Sequence, residues 1–205
     1  MKRVLTRHKF FHFGPYLAEM PVDPDYCARL LKKGKKLKKP HNQYLAGQIK
    51  NEYSYDLQKN PWIFEGFQIY VNTWIEGWKK FASRPTFNPN YQLQELWINQ
   101  MRAKEYNPVH IHTDCQLSFV LWLEVPPQIV KEKNITNTAP YGSISFFYGE
   151  NRWSVLSDLY IVPKVNTLVM FPADLRHQVM HFNSRGIRTS VAGNIRFADY
   201  GIKFT

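Results

Sequence analysis

The chain has 205 residues, 44% of them hydrophobic and 16% aromatic, which suits one domain with a full core and excludes a disordered polypeptide. Two cysteines are too few for a disulfide framework, and no run of roughly eighteen apolar residues is present to span a bilayer. The formal net charge of +11 admits an acidic partner without naming one.

Met1 to Arg7 is basic but lacks an apolar signal core after it, so a cytoplasmic location is expected, with no membrane partner. In that setting the sequon Asn134-Ile135-Thr136 carries no meaning. Phe10 to Pro15 reads as an opening strand. Pro21 to Tyr26 reads as a turn into a helix, with Asp23 or Asp25 able to cap it. Six lysines then crowd the stretch from Lys32 to Lys39. No aromatic residue is interleaved with them, so a solvated basic segment is favoured over a nucleic-acid surface, which remains the alternative. Leu45 to Tyr53 has helical character. A stronger helix is predicted from Asn60-Pro61, with Ile63, Phe64, Phe67, Tyr70, Val71, Trp74, Ile75 and Trp78 at 3-and-4 spacing.

From Gln92 the period changes. Strands are predicted at Leu93–Met101, Leu117–Val125, Ser143–Tyr148, Asp158–Val162, Thr167–Phe171, Gln178–Phe182 and Arg188–Phe197. Leu117–Val125 is nearly all apolar and should be buried on both faces. Many short strands parted by turn signals indicate a sandwich or barrel. Pro126 to Gly142 is polar and long for a hairpin, a candidate lid or substrate loop.

The chemistry concentrates in His110-Ile111-His112-Thr113-Asp114 and, further on, in Phe171 to His177. If the first stretch is extended, alternation sends His110, His112 and Asp114 to one face, and His177 from another strand closes a metal site. Two imidazoles and a carboxylate with open positions are the donor set of non-haem Fe(II) oxygenases. Arg188 supplies a fork for an acidic co-substrate. Asp174 is assigned to the turn before His177, and His181 is left outside the site.

The order of these motifs resembles the 2-oxoglutarate/Fe(II)-dependent oxygenase superfamily. Asn107-Pro108-Val109-His110-Ile111-His112 is similar to the Asn-Pro-x-His-x-His signature of small bacterial and phage oxygenases. Cys115-Gln116-Leu117 through Val125-Pro126, with Phe171 to His177, more distantly resembles the aspartyl/asparaginyl β-hydroxylases. The resemblance spans residues 93–197. It implies a mainly β fold with N-terminal helices, a double-stranded β-helix (jelly roll, cupin-like), in one domain over 1–205. Residues 1–91 would form a helical and basic support, and 92–205 the catalytic core.

It also implies Fe(II), 2-oxoglutarate as co-substrate, and O₂. Metal ligands would be His112 and His177 with either His110, which we favour, or Asp114, which matches the usual His-x-carboxylate pattern. Arg188 and Ser190 would take the distal carboxylate of 2-oxoglutarate and Asn99 its oxoacid end. Oxidative decarboxylation would yield succinate and CO₂ and drive hydroxylation of a C–H bond. The substrate would be a peptide or protein side chain, prolyl or Asp/Asn, or a small molecule. The aromatic residues Trp122, Phe147, Tyr148 and Trp153 favour a peptide or small apolar substrate. A cupin-like three-histidine metalloenzyme without 2-oxoglutarate, and a non-catalytic polyanion-binding jelly roll, are the other readings.

Overall fold

The computed structural model describes residues 14–132 and 139–198. Phe10 to Phe13 of the expected opening strand, the sequon, and residues 133–138 of the expected lid fall outside them; Gly14 and Pro15 are not in a strand.

Two antiparallel sheets face one another. The major sheet has strand order β1-β8-β5-β10-β3-β2, built from β1 (Ala18–Pro21), β2 (Glu52–Ser54), β3 (Tyr91–Met101), β5 (Leu117–Glu124), β8 (Thr167–Pro172) and β10 (Arg188–Phe197). The minor sheet has order β4-β9-β6-β7, built from β4 (Asn107–His110), β6 (Ile144–Phe147), β7 (Asp158–Ile161) and β9 (Arg176–Val179). This is the mainly β jelly roll that the resemblance implied, and the sandwich that the strand pattern indicated.

Alternation along the major sheet makes two apolar layers. Leu117, Phe119, Leu121 and Leu123 of β5, with Val191 and Ile195 of β10, face outward and pack with α1 (Pro24–Gly34) and α2 (Trp62–Phe81). Inward, Trp122, Val169 and Phe171 meet Ile144, Phe146 and Val179 of the minor sheet. β5 is therefore covered on both faces, as its unbroken apolar run requires. Asp23 caps α1, its Oδ1 accepting from Asp25 N at 2.8 Å and Tyr26 N at 2.9 Å. α2 buries Ile63, Phe67, Val71, Trp74 and Ile75 from the predicted stripe. Asn60 does not cap it; its amide turns back to donate to Asp56 O.

Two expectations are corrected. Residues 45–53 are not helical: a 3-10 turn at Asn42–Tyr44 leads into an extended segment and then β2, which pairs with β3 at Glu52↔Asn99. Edge pairing to a long strand overrides a helical tendency that Gly47 already weakens. β9 begins at Arg176 rather than Gln178, which places His177 within the strand. The near end of the expected lid carries the short helix α3 (Pro127–Lys131), and Glu132 anchors it by accepting from Asn183 N at 2.9 Å and Ser184 N at 2.9 Å.

Candidate active site

β4 and β9 are antiparallel neighbours, and their register sets His110 opposite His177, with ring centroids 4.3 Å apart. His112 lies beyond the end of β4, in a loop fastened by its backbone. His112 N donates to Ala173 O at 2.8 Å, and Ala173 N donates to Gln116 O at 3.0 Å. The turn between β8 and β9 thus carries this loop to His177. The His112 ring centroid lies 5.1 Å from that of His177 and 5.3 Å from that of His110. One ligand-capable atom from each of the three residues falls within 4.8 Å of the others.

The hydrogen bonds select the free nitrogen. His110 Nδ1 is 2.7 Å from Pro108 O, and His177 Nδ1 is 2.8 Å from Leu175 O. A carbonyl only accepts, so in both rings Nδ1 carries the hydrogen and Nε2 keeps its lone pair for a metal. Burial, then His110 and His112, push the His177 imidazole down to about 3. Burial, then His110, push His112 down to about 4. His110 is lowered by burial against the opposing pull of its bond to Pro108 O. All three are neutral at pH 7, the form that binds metal.

Asp114 is not brought to this cluster. The strand ends at His110, and Asp114 is exposed with a left-handed backbone, φ 60°. The alternation that would have aligned it with His110 and His112 is broken there. Asp174 is exposed in the turn before His177, and His181 lies against Tyr141 with its ring tilted and centroids 5.3 Å apart.

The three imidazoles open onto a cavity of about 240 Å³ between the sheets. Its floor is the inner face of the major sheet, where one cross-strand row runs Glu52, Asn99, Ser190, Trp122. Arg188 stands one alternation from Ser190 and is 3% exposed. It donates through Nη1 to Gly142 O, while its Nε is buried without a partner among the described residues. Among those residues no carboxylate lies within ion-pairing distance of it. Burial lowers the guanidinium to about 10, and it remains a cation at neutral pH. Asn99 is 6% exposed and its Oδ1 also lacks a partner. Asn99, Ser190 and Arg188 thus line the same cavity as the histidines.

The aromatic residues divide. Trp122 is buried and lines this cavity, whereas Phe147 and Tyr148 border a separate depression with Leu156 and Leu159. Trp153 is fully exposed, so neither it nor that pair bears on the cavity's occupant. The lysine run occupies the end of α1 and its extension, on the outer side of the major sheet, where Lys35 Nζ pairs with Glu124 Oε1 at 2.7 Å. Sequence reasoning gave no role to Glu52 and noted Asn107 only as part of a motif, yet both line the cavity.

Residues 95–194, the stretch carrying the histidines, the arginine and the floor of the cavity, match the family model described as "Putative 2OG-Fe(II) oxygenase". This region belongs to the 2-oxoglutarate/Fe(II)-dependent oxygenase superfamily. Solved structures of that superfamily share the fold. A viral collagen prolyl hydroxylase from Paramecium bursaria Chlorella virus-1, solved with 2-oxoglutarate, aligns with a TM-score of 0.59 at 13% identity, covering 90% of this chain and 98% of that one. HygX from Streptomyces hygroscopicus, with nickel and 2-oxoglutarate bound, gives 0.56 at 8% identity over 90% and 84%. A Pseudomonas putida prolyl-4-hydroxylase gives 0.51 at 11% identity over 88% and 92%. Comparison with curated protein sequences gives no match. No helix among the described residues is long and apolar enough to cross a membrane.

Proposed function

We propose that this chain is a non-haem Fe(II)/2-oxoglutarate-dependent dioxygenase that hydroxylates a peptide side chain, of prolyl or Asp/Asn type, or a small molecule. The observation that carries the reading is Arg188: a buried cation facing the cavity of three neutral imidazoles, with no anion paired to it among the described residues. A buried charge is costly until it is paired. A dicarboxylate whose other end reaches the imidazoles meets that need.

His110, His112 and His177 would hold Fe(II) through their free nitrogens, a donor set that suits a divalent transition metal. The bound iron and co-substrate supply the oxidising chemistry. The chain supplies the rest. Arg188 and Ser190 receive the distal carboxylate, and the Asn99 amide donates to the oxoacid end. Trp122, Val120 and Phe171 exclude water from the cavity wall. Replacing the usual carboxylate ligand by a third imidazole leaves the metal site one charge more positive, which the two negative charges of 2-oxoglutarate offset. The prolyl hydroxylases among the similar folds support a peptide substrate.

Anaerobic titration with Fe(II) and then 2-oxoglutarate tests this directly. The expected result is the visible metal-to-ligand charge-transfer absorption of the chelate; its absence with both additions overturns the proposal. The three-histidine set by itself favours a second reading, an iron enzyme that does not use 2-oxoglutarate. In that case iron binds and 2-oxoglutarate does not.

A further inference from the structure

The cavity is bipolar. Arg188 makes one end cationic, and Glu52, at the β2 edge of the same sheet, makes the other acidic. Glu52 is 1% exposed, and no lysine, arginine or histidine pairs with it among the described residues. Its one side-chain hydrogen bond there comes from Asn42 Nδ2 at 3.3 Å. Two further acceptors meet it. Asn99 is its register partner across β2 and β3, and Asn107 Oδ1 lies beside it, since a Cβ on Gly47 would fall against Asn107 Oδ1 and 3.3 Å from Glu52 Oε1. Asn99 Oδ1 and Asn107 Oδ1 are both buried without partners. The Glu52 carboxylate and two amide oxygens thus line this end of the cavity, and the two amide oxygens have no donor among the described residues.

Separation keeps Glu52 apart from the co-substrate, while Asn99 stands between them. Glu52 is two strands from Ser190, roughly 10 Å at the spacing of paired strands. A dicarboxylate anchored on Arg188 with its other end at the histidines does not reach that far. The segment Tyr44-Leu45-Ala46-Gly47 walls this end of the cavity, and exposed Tyr44 marks its mouth.

We propose that Glu52, Asn107 and the Asn99 carbonyl form the substrate-recognition subsite, and that it takes an alkylammonium group. A primary ammonium has three donors and no acceptor, which matches a carboxylate and two amide oxygens. The placement of a substrate there rests on the oxygenase reading; the binding of a cation does not. Burial and Glu105 push the free Glu52 carboxyl up to about 7, and an arriving cation favours its ionised form.

The test uses n-butylammonium and n-butanol as probes on the full chain, at constant ionic strength. Ligand-observed NMR is recorded with and without anaerobic Fe(II) and 2-oxoglutarate. n-Butylammonium is expected to bind at least about tenfold more tightly than n-butanol. Glu52→Gln should abolish that preference without changing n-butanol binding, and Glu52→Asp should keep part of it. Equal binding of the two probes to the parent protein overturns the proposal, and this arm needs no variant to fold. A preference that survives in Glu52→Gln overturns it as well. Loss of the charge-transfer band with the cation preference intact removes the oxygenase reading and leaves the subsite standing; the reverse removes the subsite alone.

Discussion

His110 and His177 face each other across the β4–β9 pair, and each fixes its ring by donating Nδ1–H to a carbonyl two residues earlier, Pro108 O and Leu175 O. The repeated i to i−2 bond does in each strand what a carboxylate does in many metal sites: it chooses the tautomer and the direction of the ring. Two imidazoles so held, with His112 beside them, are disposed toward a metal before any metal arrives.

That arrangement predicts metal dependence residue by residue. His110→Ala, His112→Ala and His177→Ala should each weaken Fe(II) binding by at least about tenfold, because every ligand is needed for the set. Asp114→Ala should leave affinity unchanged, since its exposed, left-handed position lies outside the cluster. Equilibrium metal titration under anaerobic conditions checks both. Loss of iron in the Asp114 variant with retention in the His110 variant reverses the ligand assignment.

The same burial sets a pH dependence for the metal-free protein. His112 and His177 are held at about 4 and about 3, well below the value of an unfolded histidine. The unfolded chain therefore binds these protons first. Their contribution to stability is complete above about pH 6.5 and is lost as pH falls toward the folded values. The two sites interact, so the loss belongs to the cluster and amounts to several kcal/mol, at roughly 1.4 kcal/mol per unit. Urea midpoints from pH 7 to pH 4.5 should fall less steeply in His177→Gln than in the parent. Parallel curves contradict the prediction.

Glu52 works in the opposite sense. Its carboxyl is raised to about 7, so folding favours its protonated form, and stability declines as pH rises from about 4.5 to about 7. Glu52→Gln, which keeps an acceptor for Asn42, should stabilise the metal-free protein at pH 8 by about 1–3 kcal/mol. The gain should vanish at pH 4. A variant no more stable than the parent at pH 8 means that the buried carboxyl has compensation inside the fold.

Most of the fold from β3 onward was legible because its strands are apolar runs or alternations broken by turns. β10 was predicted with the bounds it has, Arg188–Phe197, and β5 to within one residue. The histidines and Arg188 were legible because chemistry singles out their residue types. What the sequence hid is long-range. β2 is three residues of unremarkable composition, held extended by pairing with β3, and no local pattern announces an edge strand that short. Glu52 was hidden with it. Asp114 misled because alternation continues only while the strand does, and β4 ends at His110, four residues before it. Asn60 stands before a proline as a cap should, but its amide found Asp56 O closer to hand.

Arg188 decides whether the co-substrate is 2-oxoglutarate. Its guanidinium is buried, unpaired by any carboxylate among the described residues, and turned into the cavity beside Ser190. A fork bound to a carboxylate in such surroundings makes two charge-assisted hydrogen bonds. Losing one partner of such a pair costs roughly 2–5 kcal/mol, because the remaining charge is left buried alone. At about 1.4 kcal/mol per tenfold, Arg188→Ala should weaken 2-oxoglutarate binding by roughly thirty-fold to several thousand-fold. Iron affinity should change little, since Arg188 is not part of the imidazole cluster. Arg188→Lys should fall between, keeping the charge but not the planar fork. Arg188→Met carries a further expectation: without ligands it should equal or exceed the parent in stability, because it removes an unpaired buried cation while filling its space. Isothermal titration of 2-oxoglutarate against the iron-loaded variants, with urea midpoints of the same proteins without ligands, measures both effects. Tight 2-oxoglutarate binding by Arg188→Ala would show that the arginine serves the fold alone, and the reading of a three-histidine enzyme without this co-substrate would take its place.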